Sequence, residues 1–277
     1  LVSRLSKSKH FMKVEQSEMG QVLMQVSGEG VATVTLSNPD RMNAMQLGMW
    51  QDLEKAMHTV SADSSVRVVI LRGAGDAAFV SGADISEFNE LRATPEGVAR
   101  YDAAVEAAEA AVGNCPKPVI AAISGVCYGG GLGIAFASDL RYSSPHARFC
   151  LPAGKLGLGY ALEDVQRMHN VLGAARTAEL LFTARVYRGA ETVSAGMAHA
   201  CVEDVFSHAS EQAQIIASYA PLTLRSIKLA LRNIRGGHGA PTPAVVSESV
   251  AKCFASEDYV EGRRAFAEKR TPAFKGK

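Results

Sequence analysis

Lys117-Pro118-Val119-Ile120-Ala121-Ala122-Ile123-Ser124-Gly125-Val126-Cys127-Tyr128-Gly129-Gly130-Gly131-Leu132-Gly133-Ile134-Ala135-Phe136-Ala137-Ser138 is the stretch whose reading decides the fold. From Val119 to Ser138 it carries no charge, a length that could cross a bilayer. Glycines at 125 and at 129–131 break it, however, into an apolar strand (Pro118 to Ile123), a glycine loop and a short apolar helix. A strand that is apolar on every residue is one covered on both faces, so the segment is predicted to be buried core of a soluble protein.

Upstream, the same pattern is announced by Val66 to Leu71, a short and near-continuous apolar run, followed by the loop Gly73-Ala74-Gly75-Asp76 and by Phe79-Val80-Ser81-Gly82-Ala83-Asp84. Gln21 to Val26 and Val31 to Leu36 read as strands joined by the turn Ser27-Gly28-Glu29-Gly30, and Asn38-Pro39-Asp40 ends the second. Leu47, Trp50, Leu53 and Met57 recur at helical spacing within Gln46 to Val60. Pro95 opens an alanine-rich helix to about Val112, a position where helix starts tolerate proline. Downstream come a strand (Asp139 to Ser143) and helices near Leu162–Val171, Ala174–Thr183, His208–Tyr219, Leu222–Ile234 and Pro243–Ala255, with a last one from about Asp258. Strands alternating with helices, then helices alone, predict an α/β core with a helical C-terminal part.

The whole chain narrows the function classes. Its 277 residues are 47% apolar and 21% charged, ordinary for a globular protein, and the net charge of +1 gives no footprint for nucleic acid or an anionic membrane. Cys115, Cys127, Cys150, Cys201 and Cys253 form no CxxC pair and are odd in number. A disulfide framework or a zinc site is therefore not expected, and a reducing compartment is. Leu1 to His10 carries Arg4, Lys7 and Lys9 with no acid, so residues 1–19 are set aside as an extension, with Met12 a candidate start.

Two loops that follow strands carry the chemistry: Ser81-Gly82-Ala83-Asp84 and Tyr128-Gly129-Gly130-Gly131. The second runs directly into a helix, whose first N–H groups have no partner inside it and favour negative charge. Two such amides converging on one oxygen would form an oxyanion hole, each donor contributing about 2.7–4 kcal/mol to a transition state. Neither GxGxxG nor GxxxxGK[ST] occurs at Gly129 to Phe136, so nucleotide-loop readings fail, and ordinary turns are the alternative.

Phe79 to Ile85, Lys117 to Ala122 and Gly129-Gly130-Gly131 resemble the crotonase (enoyl-CoA hydratase/isomerase) superfamily. So do Asn38 to Ala44, Gln166-Arg167 and the tail Glu261 to Arg270, in the family's order. The resemblance implies a crotonase-like ββα spiral over 20–205 and a C-terminal helical region, 206–277, for trimerisation and coenzyme A contacts. It also implies an acyl-CoA thioester as substrate, in a setting such as fatty acid metabolism, with no tightly bound cofactor and coenzyme A present only as part of that substrate. Assembly would be a homotrimer or a dimer of trimers, located in the cytoplasm, or in an organelle matrix if the basic segment is a targeting remnant.

Residue by residue, the resemblance assigns the N–H groups of Ala83 and Gly130 to the thioester oxygen. Asp84, Ile85 and Ser86 would line the pantetheine and adenine path with Met42 and Ala44 opposite, and Phe266 and Lys269 would reach coenzyme A from the tail. The departures matter more. The two positions where a hydratase carries glutamate are Gly133 and Ala153, and neither side chain can move a proton.

Replacements are therefore sought among Glu163 and Asp164, which also read as ordinary first-turn acids, and Tyr160, which also reads as packing. The stretch Leu156 to Tyr160 resembles the loop of malonyl-type decarboxylases. Three functions stay open: enolate chemistry on an acyl-CoA with displaced acid/base groups, decarboxylation using Tyr160, and acyl-CoA binding without catalysis. Asp139 is expected to be structural, and His146 and His169 are expected to be bystanders.

Overall fold

The computed structural model describes residues 20–277 except His238; the basic extension and its candidate start Met12 lie outside the described residues. The chain begins with the antiparallel pair β1 (Gln21–Val26) and β2 (Val31–Ser37). A single 3-10 turn at Pro39–Arg41 then leads to α1 (Leu47–Ala62). From there a strand–strand–helix turn repeats. β3 (Val68–Gly73) and β4 (Ala78–Val80) are followed by the short α2 (Phe88–Leu91) and by α3 (Pro95–Asn114). β5 (Val119–Ile123) and β6 (Val126–Tyr128) are followed by α4 (Gly130–Ala137), and then come β7 (Leu140–Ser143) and β8 (Arg148–Cys150).

Each turn places one strand in each of two sheets. The larger sheet has the order β1-β2-β3-β5-β7-β10, where β10 is Ala200–Cys201; the smaller is β4-β6-β8-β9, where β9 is Tyr187–Arg188. The neighbours β2–β3, β3–β5 and β5–β7 are parallel, as are β4–β6 and β6–β8, which is the ββα spiral expected from the resemblance. The remaining helices are α5 (Ala153–Leu156), α6 (Leu162–Thr183), α7 (Glu191–Ser194), α8 (Val205–Ala217), α9 (Pro221–Arg235), α10 (Pro243–Phe254) and α11 (Glu257–Glu268). At Gly173 (φ 72°) α6 breaks, which divides it into the two helical stretches that the sequence predicts.

The all-apolar strands have the physical reason anticipated for them. Val69 and Leu71 of β3 face one core with Met49, Trp50, Leu53 and Met57 of α1, while Val68 and Ile70 face a second core under Val205, Ala209 and Ala213 of α8. Residues at alternate positions point to opposite faces, so a strand is apolar at every position for as long as it is covered twice, as β3 is from Val68 to Leu71 before the half-buried Arg72. Each large side chain buried this way stabilises the fold by about 1.5–3 kcal/mol. The uncharged run Val119 to Ser138 is divided between this sheet, β6 and α4, and among the described residues no helix is long and apolar enough to cross a membrane. Several short elements escaped the sequence reading: β6, in the loop between Ile123 and the three glycines, and likewise β8, β9, β10, α2, α5 and α7 have only two to four residues each, too few for periodicity to declare.

Candidate active site

β4 and β6 lie side by side in parallel, and each ends in one of the two chemistry-bearing loops. The loops touch: a Cβ placed on Gly129 would lie 3.7 Å from the Gly82 Cα, and one on Gly82 would lie 3.7 Å from the Tyr128 carbonyl oxygen. The loop after β4 is also sewn to the segment before α1. Met45 N–H donates to the Gly82 carbonyl (2.8 Å) and Asp84 N–H donates to the Met45 carbonyl (2.9 Å). In extended backbone successive N–H groups alternate in direction, so the Ala83 N–H points away from Met45. It finds no acceptor among the described residues, and neither does the Gly130 N–H at the first position of α4.

Glycine is required around this second amide. Gly129 sits at φ 50°, in the left-handed region, so that α4 can start directly from β6. A Cβ on Gly130 would lie 2.8 Å from the Trp50 indole, and one on Gly131 would lie 2.5 Å from the Val80 carbonyl oxygen. Trp50 has no room to yield. It is fully buried, and its Nε1–H donates to the Tyr101 hydroxyl (3.2 Å), which donates in turn to the Met45 carbonyl (3.2 Å).

Ala83 and Gly130 line a single cavity of about 200 Å³ together with Trp50, Ile85, Gly133 and Ala153. Gly133 and Ala153, to which the resemblance assigns a hydratase's two glutamates, therefore both line the cavity, and neither brings a carboxylate to it. Two of the proposed replacements, Tyr160 and Asp164, line it as well. Glu163 is separated from its neighbour: it is exposed and lines an adjacent outer cavity of about 400 Å³. The cause is the helical geometry of α6, where consecutive residues point about 100° apart.

Two carboxylates lining this cavity were not among the residues singled out from the sequence: Asp102, exposed and paired with Arg92, and Glu109. Glu109, from the middle of α3, is only 3% exposed and accepts from Arg167 Nη1, which also reaches Asp164 at 3.1 Å. Burial pushes Glu109 up to about 8 against the opposing pull of the Arg167 charge. Burial likewise pushes the Tyr160 phenol up, helped by the Glu109 and Asp164 carboxyls beside it, so Tyr160 keeps its proton and can serve as a donor. A sequence signal for Glu109 did exist. It stands four residues after Val105 and three before Val112, on the face of α3 that buries Tyr101 and Ala108, whereas Glu106 is exposed.

The other predicted residues fall into three groups. Asp84 is buried and caps the turn that follows it, accepting from Ser86 N–H (3.1 Å), the Ser86 hydroxyl (2.7 Å) and Arg41 (3.2 Å). Burial raises its pKa, but those partners outweigh burial and leave the carboxyl below its ordinary value. Ile85 is exposed at the cavity mouth, Ser86 is exposed, Ala44 is buried and Met42 is partly exposed in the left-handed conformation. Phe266 and Lys269 lie at the exposed end of α11, away from this cavity within the single chain. Asp139 accepts from Lys228 (2.6 Å) and from the Val119 N–H (2.8 Å), a structural role as expected; His146 contacts the Ser124 hydroxyl (3.1 Å), and His169 is exposed.

Residues 27–277 match the family described as enoyl-CoA hydratase/isomerase. Among curated relatives, the short-chain-enoyl-CoA hydratase of Clostridium acetobutylicum is 33% identical over 91% of this chain and 97% of its own. The crotonyl-CoA hydratase of Syntrophomonas wolfei is 30% identical over 89% of this chain and 95% of its own. Among solved structures, an enoyl-CoA hydratase/carnithine racemase from Magnetospirillum magneticum superposes with a TM-score of 0.87 at 37% identity, covering 95% of this chain and 97% of that one.

Proposed function

This chain belongs to the enoyl-CoA hydratase/isomerase family, and from that premise we propose that it acts on an acyl-CoA thioester by stabilising an enolate between the N–H groups of Ala83 and Gly130. The observation that carries this reading is the pair of amides without acceptors on one cavity wall. A thioester oxygen placed there accepts two hydrogen bonds. Those bonds strengthen as the α-carbon loses its proton and charge collects on the oxygen, which is how a fixed donor pair lowers a barrier. Asp84, Ile85 and Ser86, with Met42 and Ala44 opposite, are the proposed path for the pantetheine arm, and Phe266 and Lys269 are proposed contacts for the nucleotide end. Coenzyme A enters only as part of the substrate.

The test is exchange at the α-carbon. Butyryl-, octanoyl- and palmitoyl-CoA incubated with the protein in heavy water should take up deuterium there. A panel in which no thioester gains deuterium would overturn the reading and leave binding without catalysis. Adding malonyl-CoA to the panel addresses decarboxylation with Tyr160 as an orienting donor, a reading favoured by the retained phenol proton inside the cavity. It is disfavoured by Asp164 and Glu109, which would face the substrate's own carboxylate.

We also propose assembly into trimers or dimers of trimers through the C-terminal helices. Ile234 of α9, Phe254 of α10 and Val260 of α11 are more than 60% exposed in the single chain, a concentration of apolar surface that a second copy would cover. Light scattering should give three or six times the chain mass; a monomer would count against it. The proposed setting is a reducing compartment such as the cytoplasm, in keeping with five free cysteines.

A further inference from the structure

The loss of a glutamate at position 133 has a structural counterpart across the cavity. An ideal Cβ on Gly133 would overlap the Glu109 carboxylate, whose carboxyl carbon lies 2.7 Å from that point. With any side chain at 133 the Glu109 carboxylate could not stay where it is and would have to swing out of this position. Glycine at this position does more than remove a carboxylate from α4. It vacates the volume into which α3, packed against α4, delivers one.

We propose that Glu109 is the acid/base of this site: its carboxylate removes the α-proton of a thioester held by Ala83 and Gly130 and gives a proton back. The proposal rests on the enolate reading above. In the forward step the α C–H bond breaks, an O–H bond forms on Glu109, and the electron pair moves onto the thioester oxygen between the two amides. Return of a proton to the same carbon gives exchange. Return to the γ-carbon of a 3-enoyl thioester gives the conjugated 2-enoyl isomer. Neither outcome needs a co-reactant, and one carboxylate suffices for both, which matters because the second glutamate position is Ala153.

The surroundings suit that task. Glu109 lines both the thioester cavity and the outer cavity, so it can trade its proton with solvent on the side away from the substrate. The groups facing it are Arg167 and Asp164 on α6 and Tyr160 just before it, while α4 presents no titratable side chain. Arg167 holds the carboxylate in place, and burial brings its pKa up to about 8, nearer neutrality than an ordinary carboxylate and so better suited to a general base.

The experiment compares α-deuterium uptake by butyryl-, octanoyl- and palmitoyl-CoA in the unaltered protein, Glu109→Gln, Glu109→Ala and Glu109→Ala/Gly133→Glu. Glu109→Gln has the shape of the protonated acid and should lower exchange by about 10²–10⁴-fold, with thioester binding by calorimetry retained. In the unaltered protein the rate should rise with pH through about 8 and then level off, and this limb should vanish in Glu109→Gln. The double variant, with its carboxylate returned to α4, should exchange faster than Glu109→Ala alone. Exchange by Glu109→Gln at the unaltered rate and with the unaltered pH profile would overturn the proposal while leaving the enolate reading intact. No exchange in the unaltered protein would remove both. Should Glu109→Gln fail to fold, the pH profile of the unaltered protein decides, and a flat profile through about pH 8 would overturn the assignment.

Discussion

Gly130→Ala is expected to slow α-proton exchange by about a hundredfold or more while leaving the protein folded. The added Cβ would stand 2.8 Å from the Trp50 indole, and that ring is fully buried and tethered through Tyr101 to the Met45 carbonyl. The ring cannot yield, so the first turn of α4 must move, and the Gly130 N–H moves with it. Loss of one oxyanion donor costs about 2.7–4 kcal/mol of transition-state stabilisation, or about 10²–10³ in rate. Because the interaction strengthens mainly in the transition state, kcat should fall far more than the affinity for the thioester. A second substitution tests the cause: Trp50→Phe in the Gly130→Ala background removes the obstructing part of the ring and should recover part of the rate. Unchanged kcat in Gly130→Ala would remove this amide from the mechanism.

Arg167→Met should destabilise the protein in a pH-dependent way. Arg167 is the cation paired with Glu109, and leaving a buried charge unpaired typically costs about 3–5 kcal/mol. The sign follows from the direction of the shift. The Glu109 pKa is raised in the folded state, so its contribution to stability is full below the ordinary carboxylate value, is lost as pH rises from there to about 8, and levels off once the folded carboxyl has ionised too. Removing Arg167 takes away the influence that lowers this pKa and raises it further. The stability difference between Arg167→Met and the unaltered protein should therefore be small in mild acid, where Glu109 is neutral in both, and grow above about pH 8. Urea unfolding at several pH values measures it. A difference that stays constant across pH would mean that Arg167 contributes packing by its stem rather than charge.

Much of the backbone half of the site could be read before any coordinates. The glycines at 129–131 after an apolar strand already imply free amides at a helix start, and the resemblance of the ordered segments proposes Ala83 for the same task. Position along the chain is enough there, because backbone donors depend on strand and helix ends rather than on which side chains meet. The side-chain half resisted. Glu163 and Asp164 are adjacent in sequence, yet α6 turns only Asp164 to the cavity. Glu106 and Glu109 sit in one alanine-rich helix, where a pair of glutamates reads as a solvated face; only the apolar neighbours at Val105 and Val112 separate them.

The sequence by itself therefore determined an α/β core with a helical C-terminal part, the doubly covered strands and the two glycine loops, which follow from local rules of periodicity and glycine conformation. The ββα spiral and the importance of positions 133 and 153 came from the family resemblance of the ordered motifs. Which carboxylate faces the cavity was decided only by tertiary structure, because it depends on the packing of α3 across α4 at Gly133. A missing Cβ on one helix and a buried glutamate on another are 24 residues apart in the chain and become one feature only where the helices meet.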